Sequence, residues 1–180
     1  MTAAVLAGDF GLVHDRSDAG LAIGAAEWLD ELAQGHWRSA DRASLWRHAF
    51  LVEKVDGQLV HAIEAWPGGA RRHTYGLDDP SIRWSSGHFQ LADDQREAIV
   101  SWAVEHLGAK YSWLAYARQA AVRLHVPFAA DWLARQVTKH GSYLCSQYVD
   151  AGWQAAGLHL FQDGRAPYDV APSDLADLLG

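Results

Sequence analysis

Read as apolar and polar positions, the chain changes period partway along, and the change divides it into a strand-rich first half and a helical second half. Gly8 to His14 is a short apolar run after a turn-like Gly8-Asp9 and predicts a strand, followed by a loop over 15–20. From Leu21, the residues Ala25, Trp28, Leu29 and Leu32 recur on one face while Glu27, Asp30 and Glu31 lie opposite, an amphipathic helix ended by Gly35. Two strand-like runs follow, Leu45 to Glu53 and Gln58 to Ala65. Lys54-Val55-Asp56-Gly57 between them is the strongest hairpin signal in the chain. Pro67, Gly68 and Gly69 break the second run, Ala70 to Tyr75 predicts a third strand, and Ser81 to Ser86 a fourth.

The period then becomes helical. Asp93 and Asp94 precede Ala98, Ile99, Trp102, Ala103 and His106, with Gly108 closing the helix. Trp113 to Leu124 continues helical, and Pro127 opens another helix through Lys139. Within Ser142 to Gly157, Leu144, Tyr148, Val149, Trp153 and Ala156 repeat at helical spacing, and Gly157 is placed to stop the helix in the left-handed conformation. Beyond Leu158 to Phe161 and a polar loop, a short last helix starts at Ser173 behind Pro172. Strands before helices predict the α+β class, and 180 residues suit a single domain over 1–180.

Composition removes several classes of function. A formal charge of −7 with no basic run argues against nucleic acid, and Arg71-Arg72, the densest basic pair, reads as a solvated doublet. A single cysteine excludes an internal disulfide, so stability does not depend on an oxidising compartment. The N-terminus, M-T-A-A-V-L-A-G-D-F, lacks the basic region of a Sec signal, and no segment reaches the roughly 18 uncharged apolar residues that span a bilayer. The expectation is a soluble chain, cytoplasmic at synthesis, that reaches any outside target by lysis or as part of a particle. Nine tryptophans can fill a core or line a cleft that holds peptide or sugar. H-E-x-x-H and paired C-x-x-C are absent, so no metal is expected. The absence of G-x-S-x-G, Walker A and G-x-G-x-x-G leaves no expected cofactor and no serine nucleophile of the usual kind.

That leaves Cys145, at the predicted first turn of the helix before Gly157. A free thiol with pKa near 8.5 is only about 3% thiolate at pH 7, and the thiolate is the nucleophile. A helix N-terminus favours an anion by up to roughly 1 kcal/mol, enough to lift that fraction to about 15%. A reactive cysteine therefore needs a basic partner, normally a histidine oriented by a third group; without one it is a small buried apolar residue.

Ten histidines compete for the role. His14, His36, His106, His125 and His159 have no acid in register, whereas His48 opens the apolar part of the first hairpin strand. If Asp56-Gly57 is a two-residue turn, the numbers of facing residues sum to 113 and His48 lies opposite Ala65. If Val55-Asp56-Gly57 is a three-residue loop, the sum is 112 and His48 faces Glu64 directly, with Cβ atoms about 4.5–5.5 Å apart. The second register makes Glu64 the orienting acid. His61 is held in reserve, since it faces Val52 or Leu51, some three or four residues along from His48.

Taken in order, H-A-F-L-V, I-E-A-W-P-G-G-A, Y-S-W, L-C-S-Q-Y-V-D-A-G-W-Q-A-A-G and D-V-A-P-S-D-L resemble the circularly permuted, YiiX-like branch of the NlpC-type papain-like cysteine peptidases, over most of the chain from about Trp46 to Leu175. The resemblance implies a permuted papain-like fold, an antiparallel sheet packed against helices. Cys145 would be the nucleophile, His48 the general base and Glu64 the third residue. It also suggests Tyr111 as the oxyanion tyrosine, although Tyr143 is nearer to Cys145 in sequence, and the insertion between Tyr111 and Cys145 departs from the short link of ordinary members. The implied reaction is acyl transfer, with cell-wall (peptidoglycan) peptide as the first substrate class. Two other readings stand beside it. One is a lipid-directed thioesterase or acyltransferase of the same fold, using Trp113 to Lys139 as a membrane-facing patch; the other is a non-catalytic docking module of a larger assembly.

Overall fold

A computed structural model describes residues 3–14, 46, 48–111, 143–165, 167 and 170–180. The helices predicted over 21–35, 113–124 and 127–139 lie outside these residues, as does the whole of the patch invoked for a lipid-directed enzyme. The described chain is α+β. Its strands are β1 (Phe10–Val13), β2 (His48–Asp56), β3 (Leu59–Glu64), β4 (Arg71–Gly76) and β5 (Ile82–Trp84), and its helices are α1 (Asp93–Glu105), α2 (Cys145–Ala155) and α3 (Pro172–Asp177). The strands form one antiparallel sheet in the order β4-β3-β2-β1-β5. None of the described helices is long and apolar enough to cross a membrane.

Both faces of the central strand are buried, which is why its apolar run is continuous rather than alternating. Ala49 and Leu51 join Phe10, Leu12 and Ile63 against Ile99 and Ala103 of α1, Tyr148, Val149 and Trp153 of α2, and Leu175 of α3. Phe50 and Val52 point the other way, into a smaller cluster with Val60, Ala62 and Ile82 that Tyr75 and Trp84 cover. Helix α2 lies unusually close to the sheet. A Cβ on Gly152 would stand 2.8 Å from Leu51 Cδ1 and 3.2 Å from Trp102 Cε3, so only glycine permits this approach. The predicted stop is also in place. Gly157 has φ 73°, its N–H donates to Gln154, and the Leu158 N–H donates to Trp153, the paired bonds of a Schellman motif.

The hairpin forms, but in neither anticipated register. Its turn is Gly57-Gln58, so Asp56 faces Leu59 and facing numbers sum to 115 as far as Lys54–His61. Glu53 is then an extra residue, a bulge, and the sum falls to 114 at Val52–Ala62 and Leu51–Ile63. Carried on, this sets Glu64 across from Phe50, and His48 meets it diagonally rather than directly. The cause is the bulge, which sequence periodicity does not reveal. Without it, the 115 register would put His48 and Glu64 on opposite faces of the sheet.

Candidate active site

Cys145 is the first residue of α2 and is 1% exposed. Leu144 occupies the N-cap and has no side-chain acceptor for the first-turn amides. Gln147 instead reaches back, its Oε1 accepting the Leu144 N–H at 3.0 Å, half of a capping box. The start of the helix is held from two sides. Ser146 Oγ donates to the Val170 carbonyl at 2.6 Å, and the Tyr148 hydroxyl donates to the Ala103 carbonyl at 2.6 Å.

His48 begins β2, opposite Val13 of β1. Its Nε2 lies 2.7 Å from Glu64 Oε2, and Cys145 is the other side chain that acts on the ring. Glu64 is fully buried and shared by two further donors. The Tyr75 hydroxyl donates to the same Oε2 at 2.6 Å, and Arg71, directly across the β3–β4 ladder, donates Nε–H to Oε1 at 2.8 Å. Trp66 sets its ring edge-to-face with His48, centroids 5.3 Å apart, and carries the Arg71 guanidinium at 4.3 Å on its face.

Burial by itself would strip the proton from His48, but hydrogen bonds and charge contacts with Cys145 and Glu64 outweigh it and raise the pKa to about 9. Burial equally opposes charge on Glu64, yet the bonds from His48, Tyr75 and Arg71 hold its pKa down to about 2. Burial and the Glu64 charge push the Tyr75 hydroxyl far above its ordinary value, so it stays protonated and donates. At neutral pH the centre therefore holds an imidazolium hydrogen-bonded to the ionised Glu64.

Three residues anticipated from sequence therefore meet: Cys145, His48 and Glu64. His61 does not join them. It faces Lys54 on one side and Thr74 on the other, three residues from Glu64 along β3. Tyr111 pairs with Tyr143 in an isolated bridge, and the Tyr143 N–H donates to Lys110, so the backbone of residue 111 runs beside the approach to Cys145. Tyr75, Trp66 and Arg71 were missed. Arg71 was legible in principle, because counting outward from Pro67-Gly68 sets it across from Glu64, so only Arg72, paired with Glu53 at 2.8 Å, fits the solvated reading. Comparison with protein families, curated proteins and solved structures finds no match to this chain.

Proposed function

We propose that the chain is a cysteine-dependent hydrolase with a permuted papain-like fold, cleaving an amide bond through an acyl-enzyme. The observation that carries this reading is His48, hydrogen-bonded to Glu64 at 2.7 Å and coupled to Cys145 at the start of a buried helix. In this arrangement the Cys145 sulfur adds to the substrate carbonyl, and the oxyanion forms beside the Cys145 N–H, with Tyr111 as the proposed second donor. Collapse breaks the carbon–nitrogen bond, and His48 gives its proton to the departing amine. Water then attacks the thioester. His48 takes the water's proton, and the acid and the Cys145 thiolate are released. Glu64 stays ionised and fixes the ring. Cell-wall peptide is the substrate class that the resemblance favours.

The test is alkylation of Cys145 by iodoacetamide, followed by intact mass from pH 5 to 10 in the wild type, His48→Ala and Glu64→Ala. An ion-paired nucleophile keeps reacting well below pH 7 in the wild type, and loses about tenfold per pH unit there without His48. Equal, slow profiles in all three proteins, rising only near pH 8.5, would sink the reading. A wild type that passes then goes to hydrolysis assays on wall-peptide fragments, where Cys145→Ser is expected to lose activity.

A further inference from the structure

Arg71 is held more elaborately than its bond to Glu64 requires. Its Nε is used on Glu64 Oε1, its plane lies over Trp66, and 44% of its side chain is exposed. Its two terminal amino groups have no hydrogen-bond partner among the described residues. A guanidinium anchored at Nε and braced on an indole presents those two donors as a fixed fork, the geometry that receives a carboxylate in bidentate fashion. The same indole touches His48, so the fork opens beside the reacting centre rather than on a remote surface. Arg72, the neighbouring guanidinium, has no such freedom, because Nε and one Nη are both committed to Glu53.

We propose that Arg71 and Trp66 form a carboxylate-binding subsite next to Cys145, so that the substrate carries a carboxylate within a residue or so of the bond cleaved. This names a substrate class for the hydrolase reading and rests on it. Arg71 would then have two roles, positioning Glu64 through Nε and selecting acidic substrates through Nη.

The experiment needs no knowledge of the natural substrate. Cys145 is alkylated with N-iodoacetyl-glycine, N-iodoacetyl-β-alanine and N-iodoacetyl-γ-aminobutyrate, which carry a carboxylate about 6 to 9 Å from the sulfur, and with the three matching carboxamides. Iodide leaves as the carbon–sulfur bond forms. Second-order rates are divided by those of a small free thiol. The wild type is expected to favour at least one acid over its amide by about tenfold, with saturation. Arg71→Met loses the preference, Arg71→Lys keeps part of it, and Arg72→Met keeps all of it. No acid preference anywhere in the wild-type series overturns the subsite. So does an Arg71→Met variant that slows acids and amides alike, which would leave Arg71 only its positioning role. Failure of the hydrolase reading is read separately, from amide reagents that react with wild type and His48→Ala at the same rate.

Discussion

At the residue scale, the centre depends on how many donors converge on one carboxylate. Glu64 has no exposed surface and accepts from His48, Tyr75 and Arg71, so each lost donor leaves charge buried with less to hold it. Tyr75→Phe isolates one of these bonds, because its ring can keep its stack on Phe50, where the centroids are 4.2 Å apart. The expected cost is about 2 kcal/mol by urea denaturation at pH 7, together with a few-fold slower alkylation of Cys145 as the imidazole loosens. An unchanged midpoint in urea would mean that Tyr75 merely covers the site. Periodicity identified Cys145, His48 and Glu64 because each sits at a place defined along the chain: a helix start, a strand start and a strand end. It missed Tyr75 and Trp66 because their roles arise across the sheet. Tyr75 reaches Glu64 although its own ladder partner is Val60.

At the element scale, two local features bring α2 and β2 into working distance: the Glu53 bulge, which turns His48 to the face of Glu64, and Gly152, which lets the helix settle onto Leu51. The hairpin itself was legible from alternation and turn residues. Its register was not, since a bulge adds a residue without disturbing the apolar pattern of a strand buried on both faces. The contribution of Gly152 is measurable by a double-mutant cycle. In a free helix Gly→Ala gains about 1 kcal/mol from propensity, but here the new methyl group meets Leu51 Cδ1 at 2.8 Å. Gly152→Ala should therefore destabilise the wild type by about 1 kcal/mol and slow Cys145 alkylation, as the helix start is pushed from His48. In a Leu51→Ala background the same change should be neutral or stabilising. A coupling below about 0.5 kcal/mol would show that the helix relaxes without strain.

At the scale of the whole molecule, two buried acids set the pH dependence of stability in opposite directions. Glu64 is held at about 2 against an ordinary 4.5, so on acidification the unfolded chain takes up a proton that the folded protein refuses. Its contribution is complete above pH 4.5 and is lost as pH falls towards 2. Asp150, on α2, is the reverse. It is 1% exposed, Oδ2 accepts from Gln154 at 3.1 Å, and Oδ1 has no partner among the described residues, so burial raises its pKa from 3.8 to about 6 despite the pull of His159 and Arg165. The folded state keeps this proton while the unfolded chain releases it, and stability declines as pH rises from about 3.8 to 6. Together they predict a maximum of Tm near pH 4, where the two windows overlap, rather than at neutrality. Asp150→Asn replaces the charge with a neutral group of the same shape that still accepts from Gln154. It should raise Tm at pH 7.5 by something on the order of 5 °C and flatten the decline between about pH 4 and 6, leaving in place the acid limb and the further decline above pH 6.5 that His48, raised to about 9, imposes. Glu64→Gln should do the opposite, lowering Tm at neutral pH and flattening the acid limb. Calorimetric scans of the three proteins from pH 2.5 to 8 decide the matter. If Asp150→Asn lowers Tm at pH 7.5, the aspartate is ionised and compensated within the fold, and the orphaned Oδ1 has a partner in solution.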